Sequence, residues 1–183
     1  MRETTGTSGL DQTLRSAVEA LAHFEIPHLV AGGLAVQEHG YFRVTLDADI
    51  IVPDVIEAVE FITGDLSGPF VRYQGCEDTV QDRRNGVFVN FLPAGRAFGK
   101  NSTVMFPNPK SVSDVPQFVT LEQLIALKLD SWVNSPNRRI KDKADVVELI
   151  KCLKLPRDLA IDETVHHLYI ETWDALKAEA DAE

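Results

Sequence analysis

Asp47 and Asp49 stand two residues apart in RVTLDADIIV, within a stretch whose apolar and polar residues alternate from Phe42 to Ile50. Side chains of an extended strand alternate between faces. Phe42, Val44, Leu46, Ala48 and Ile50 should therefore share one face, and Arg43, Thr45, Asp47 and Asp49 the other. The aspartate Cα atoms would then be about 6.6 Å apart, near enough for both carboxylates to reach one divalent cation. Upstream, after the apolar run His28 to Ala31, Gly32-Gly33 precedes Asp47 by thirteen intervening residues. A glycine pair at the entry to a helix leaves backbone amides uncovered, which suits a phosphate. Acids downstream suit the Mg²⁺ or Mn²⁺ that a polyphosphate brings with it. Each half alone has a plainer reading, the glycines as a turn and the acids as a solvated strand edge.

Other residues are singled out by type and position. Arg43 and Thr45 share the aspartates' face, where they could neutralise and donate to a triphosphate; alternatively Arg43 pairs with a nearby acid. Lys128 falls on a helical stripe with Leu121, Leu124, Ile125 and Trp132, so it either snorkels outward or meets an anion. His39, beside Gly40 at a helix end, reads more readily as a capping or packing residue than as a ligand. His166 and His167 are adjacent on a helix and diverge, which argues against a shared metal. The sequence holds no GxSxG, and neither Cys76 nor Cys152 has an adjacent histidine.

The elements that must position these residues can be read from periodicity and punctuation. An amphipathic helix is expected over 10–24 and stopped by Pro27, followed by a short strand from His28 to Ala31 and a short helix from Leu34 to His39. After the alternating segment, Asp54 should cap a helix that ends at Gly64. Strands are expected at Phe70 to Tyr73 and Val87 to Leu92, with a charged loop between them and Arg84-Asn85-Gly86 as the turn. The proline-rich stretch from Ala94 to Pro116 is irregular, with one short strand near Val104 to Phe106. A capping box at Thr120 to Gln123 opens a helix over Leu121 to Val133. A second helix over Lys141 to Leu153 should turn Val146, Val147, Leu149, Ile150 and Leu153 inward, and a third helical stretch begins near Asp158. The fold class expected is α/β (α+β): a small mixed sheet flanked by helices, with a core over 1–118 and a C-terminal helical part over 119–183 packed on it.

Bulk composition limits the functions available. With 183 residues, 44% of them hydrophobic, the chain can bury a real core. Twenty-eight acidic against eighteen basic residues give a net charge of −10, which argues against a broad nucleic-acid-binding surface. The leader MRETTGTSG is polar, and no apolar run approaches a membrane span, so a cytoplasmic location is expected.

Taken together, AGG, the spacer and DADI resemble the signature of the nucleotidyltransferase superfamily that includes DNA polymerase β and the antibiotic nucleotidyltransferases. The wording GGLAVQEHG followed by RVTLDADIIV most resembles the nucleotidyltransferase-like proteins related to the toxin of AbiE-type toxin–antitoxin systems. The likeness is dense over about 28–52, weakens across 64–118 and returns over 120–150. It implies an NTP, an acceptor hydroxyl of unknown identity, and in the toxin–antitoxin case a small partner protein. Gly32 and Gly33 become the phosphate turn, and Asp47 and Asp49 the ligands of catalytic Mg²⁺. Lys128 would face the phosphates, while Arg139, Asp142 and Asp145 would frame the cleft or tie the helices to the core. The family also needs a third acid on a neighbouring strand. Here that position holds Asn90, which has a carbonyl oxygen to lend to a cation but no charge and no capacity to take a proton. Glu77, Asp78 and Asp82 lie in the preceding segment, and one of them could swing in as a substitute.

Overall fold

The computed structural model describes residues 8–180; most of the polar leader lies outside the described residues. The elements run α1 (Gly9–His23), β1 (Leu29–Ala31), α2 (Gly32–Glu38), β2 (Asp47–Val52), α3 (Val55–Gly64), β3 (Phe70–Arg72), β4 (Thr79–Asp82), β5 (Phe88–Pro93), α4 (Leu121–Asn134), α5 (Ile140–Leu153) and α6 (Glu163–Ala180). The five strands form one mixed sheet in the order β1-β2-β5-β4-β3. β2 and β5 are parallel, and the other pairs antiparallel.

The sheet is covered differently on its two faces. Ala48, Ile50 and Val52 of β2, with Val89 and Phe91 of β5, pack against Leu14, Val18 and Leu21 of α1 and Val59 and Ile62 of α3. On the opposite face Ile51 joins Ala31 and residues of α2, α4, α5 and α6 in a second core. Asp47 and Asp49 share that second face with Ile51 but lie nearer the start of the strand, at its partly buried end. Helices therefore cover Ile51 and leave the two acids beside a cleft.

Local sequence accounts for the element ends. Thr120 and Gln123 form the expected capping box at α4, and Asp54 Oδ1 accepts from the Glu57 amide at 3.0 Å. The backbone of 117–119 docks on β1, with the Val30 amide donating to Gln117 O and the Val119 amide to Val30 O. This fixes where α4 starts relative to the sheet. His39 lies with Nε2 2.9 Å from Val119 O, a packing role that strengthens the same junction.

Several expectations are corrected. The alternating segment is not strand before Asp47. β5 begins at Phe88 opposite Asp47 and β1 ends at Ala31 opposite Asp49, so residues 42–46 have no ladder to join. Phe42, Val44 and Leu46 are consequently 83%, 77% and 77% exposed. The charged stretch expected to be a loop contains β4, which sits between β3 and β5 and draws hydrogen bonds from both. Around Val104 to Phe106 there is only an isolated bridge between Ala97 and Met105. Leu153 emerges at the end of α5, whose inward face instead carries Asp145 with Val146, Leu149 and Ile150. The last helix starts at Glu163, and Leu159 and Ile161 pack from the preceding loop. Among the described residues no helix is long and apolar enough to cross a membrane.

His28 carries a pH liability into this core. It is 1% exposed, with Nδ1 2.9 Å from Ile26 O and Nε2 without a partner among the described residues. Burial lowers its pKa below the ordinary imidazole value, outweighing the bond to Ile26. A depressed folded-state pKa means that the unfolded chain binds the proton first, so stability is lost as pH falls below about 6.5. Urea midpoints measured from about pH 7.5 down to about pH 5.5 should fall, by up to about 1.4 kcal/mol per pH unit for this group. His28→Phe should flatten the curve; parallel curves for the two proteins would contradict the assignment.

Candidate functional site

Strand register builds the site from side chains far apart in sequence. Ala31 lies opposite Asp49, Asp49 opposite Asn90, and Asn90 opposite Thr79, forming one row across β1, β2, β5 and β4. Asn90 is thus the residue beside the aspartates where the resemblance calls for a third acid. Its Nδ2 donates to Asp47 Oδ2 at 3.2 Å and to Asp49 Oδ1 at 3.0 Å, and its Oδ1 accepts from Thr79 Oγ1 at 3.2 Å. Two carboxylates are acceptors only, so the amide presents its donor end to them. The carbonyl oxygen, considered above as a cation ligand, is turned to Thr79.

Asp49 is the strained charge of this row. Its pKa is raised, chiefly by burial and further by the Asp47 charge, against the lowering effects of the Asn90 hydrogen bond and the Lys128 and Arg139 charges. Gly32 is shaped around it. With φ of +60° it occupies the left-handed region, and a Cβ there would collide with the Asp49 carboxylate. A Cβ on Gly33 would meet the Thr45 hydroxyl. Both glycines belong to the first turn of α2, and their bareness admits the neighbouring side chains.

The cationic side is a network across α4 and α5. Arg43 Nε and Nη2 donate to Asp145 Oδ1 and Oδ2 at 2.6 and 2.9 Å. Lys128 Nζ lies 2.7 Å from Asp145 and 2.9 Å from Asp142, and Ser131 Oγ donates to Asp142 at 2.8 Å. Lys128 is 5% exposed, so the lysine on the apolar stripe meets anions inside. Arg139 makes no carboxylate pair among the described residues; its guanidinium lies over the Phe98 ring, 5.4 Å from the centroid.

A cleft of about 380 Å³ opens between the row and these helices. It brings together Gly32, Asp47, Asp49, Asn90, Lys128 and Arg139 of the residues singled out in the sequence. Gly33, Arg43 and Thr45 do not line it. Arg43 is committed to Asp145, and Thr45 Oγ1 lies 3.5 Å from Asp47 Oδ1. Of the three substitute acids, Asp78 lines the cleft, whereas Glu77 does not and Asp82 is buried elsewhere against Arg84 and Thr13. Sequence reasoning overlooked Asp130, Ser131 and Phe98. Asp130, like Lys128, is a buried charged residue of α4 and could have been flagged on that ground. Among the described residues no group of three or more His, Cys, Asp or Glu is arranged to hold a metal ion.

No protein-family model matches the chain, and no curated protein matches it. Among solved structures, the solution structure of the antibiotic-resistance factor ANT(2'')-Ia superposes with a TM-score of 0.52 at 12% identity, over 93% of this chain and 94% of that one. The crystal structure of ANT(2'')-Ia in complex with adenylyl-2''-tobramycin gives 0.51 at 11% identity, over 92% and 97%. The fold is nucleotidyltransferase-like. At these identities the likeness is one of fold.

Two substitutions in the cleft should move stability in opposite directions. Asp49 has a raised folded-state pKa, so its ionised form costs stability at neutral pH, and Asp49→Asn should raise Tm, by about 2–4 °C for each kcal/mol relieved. Lys128→Met leaves Asp142 and Asp145 without their shared cation and should cost about 3 kcal/mol or more in urea unfolding. Loss of Tm in Asp49→Asn, or no effect of Lys128→Met, would contradict this electrostatic account.

Proposed function

We propose that the protein is a Mg²⁺- or Mn²⁺-dependent nucleotidyltransferase, moving a nucleoside monophosphate from an NTP to a hydroxyl of a protein, RNA or small-molecule acceptor. The observation that carries this is the convergence of the Asp47 and Asp49 carboxylates on a single atom, Asn90 Nδ2, at 3.2 and 3.0 Å. Carboxylates so placed suit a hard cation, and the raised pKa of Asp49 marks a pair short of positive charge. The donor set therefore fits one such ion held by Asp47 and Asp49, with phosphate oxygens and water as its other ligands. When bound, the ion would supply Lewis-acid stabilisation of charge developing on the phosphates.

The chain's own residues have definable tasks in this reading. Gly32 admits the close approach of Asp49 and leaves its own amide uncovered. Arg139, lacking a carboxylate partner, is available to triphosphate oxygens, and Lys128 adds positive field at the cleft wall while tied to Asp142 and Asp145. Arg43 and Thr45 act from behind, Arg43 by holding Asp145 and Thr45 beside Asp47. Residues 1–118 would form the catalytic core and 119–183 the helical part that closes the cleft. A neighbour of this fold binds adenylyl-2''-tobramycin, a small molecule bearing an adenylyl group, and by analogy a small-molecule acceptor suits this cleft. A cytoplasmic location, where NTPs are abundant, agrees with this chemistry.

Asn90 favours a second reading, a catalytically reduced nucleotide-binding module that could act with a small partner protein, as in a toxin–antitoxin pair of the AbiE type. An amide occupies the third-acid position and takes no proton. Calorimetry of the folded protein with ATP, GTP, CTP and UTP in the presence of Mg²⁺ tests the feature common to both readings. At least one NTP should bind, and Asp47→Asn should weaken it by about tenfold or more, about 1.4 kcal/mol. No binding of any of the four would sink both.

A further inference from the structure

If the cleft transfers nucleotides, as proposed above, something must take the proton that Asn90 cannot. Five carboxylates line the cleft: Asp47, Asp49, Asp78, Asp130 and Asp142. The first two are the candidate cation ligands. Asp130 Oδ1 already accepts from the Thr103 amide at 3.0 Å, from Thr103 Oγ1 at 3.2 Å and from Asn134 Nδ2 at 3.3 Å. Asp142 is held by Lys128 Nζ at 2.9 Å and Ser131 Oγ at 2.8 Å. Asp78 differs from all of these. It is exposed at the rim, and its carboxylate receives one hydrogen bond, from the Thr79 hydroxyl at 3.0 Å.

Its position is fixed by the sheet. The Asp78 carbonyl accepts from the Phe91 amide at 2.8 Å, so the residue extends the β4–β5 ladder next to the functional row. Thr79, in that row, has its hydroxyl within 3.0 Å of Asp78 Oδ1 and 3.2 Å of Asn90 Oδ1. That hydroxyl has a single proton, shared between an amide that cannot act as a base and a carboxylate that can.

We propose that Asp78 is the third carboxylate of this cleft and the base that receives the acceptor's proton. In the step, the acceptor hydroxyl gives its proton to the Asp78 carboxylate while its oxygen forms a bond to the α-phosphorus of the NTP. The bond from the α-phosphorus to the bridging oxygen breaks, and pyrophosphate leaves with that electron pair. Asp78 then returns the proton to water, which its exposure permits. The catalytic acid would thus sit one strand outward and one residue from the row, and Thr79 couples its carboxylate to Asn90.

The test uses the full chain with Mn²⁺·ATP and water as the acceptor, reading formation of AMP and pyrophosphate, alongside calorimetric affinity for Mn²⁺·ATP. Asp78→Asn should slow AMP formation by about 100-fold or more while leaving affinity within about twofold. Asn90→Asp placed on the Asp78→Asn background should restore the rate to within about tenfold of the unmodified protein. The proposal is overturned if Asp78→Asn reacts as fast as the unmodified protein, or if the carboxylate at position 90 restores nothing; in the first case nucleotidyl transfer itself still stands. If neither the unmodified protein nor Asn90→Asp alone forms AMP although both bind ATP, the transfer reading fails and takes this assignment with it. Asp78 is an exposed residue with one side-chain bond, so an unchanged melting temperature separates lost chemistry from lost folding.

Discussion

Charge held against its preference organises this molecule. Asp47 and Asp49 repel one another at the edge of a packed core, and burial adds to the cost of ionising Asp49. Everything near them lessens that cost without removing it. Asn90 donates to both, Gly32 gives up a side chain to make room, and the positive charges of Lys128 and Arg139 favour the ionised Asp49 from across the cleft. This uncompensated negative charge is what the proposed cation would offset, and it underlies the functional reading proposed above.

The helical part carries the opposite arrangement, a network close to neutral. Arg43 and Lys128 share Asp145, and Lys128 and Ser131 share Asp142, so the segment leading into β2 is tied to α4 and α5. Buried ion pairs of this kind contribute little net stability when intact and cost much when one partner is removed, so their value lies in fixing geometry. Here the geometry fixed is the distance across the cleft. The row containing Asp49 and Asn90 sits on the sheet, Lys128 sits on α4, and Arg43–Asp145 is one of the links that hold sheet and helices together.

Much of this was legible in the sequence wherever spacing was local. The glycine pair, the Asp-x-Asp strand, the capping box at Thr120 and the anomalous Lys128 all announce themselves within a few residues, and the position that the family resemblance singled out on β5, Asn90, lies opposite Asp49. The alternation before Asp47 misled for a physical reason. The segment has no neighbouring strand to pair with and is pinned instead by Arg43 on Asp145, while Phe42, Val44 and Leu46 are left exposed. The partner in that pin lies 102 residues away, beyond any local pattern. β4 was hidden likewise: TVQD has little strand character alone and becomes a strand through pairing on both sides. Which end of the Asn90 amide faces the acids is set by the two acceptor-only carboxylates that register brings beside it.

In the proposed function the cleft works at the α-phosphorus of an NTP. Following the fate of label from α-³²P-ATP and γ-³²P-ATP in parallel, with Mg²⁺ and tobramycin, bulk tRNA or the protein itself as acceptor, addresses it most directly. The account predicts that α-label passes to an acceptor or appears as AMP while γ-label appears as pyrophosphate. Release of γ-label as orthophosphate, with the α-label retained in ADP, would contradict it and mark the two aspartates as belonging to a hydrolase.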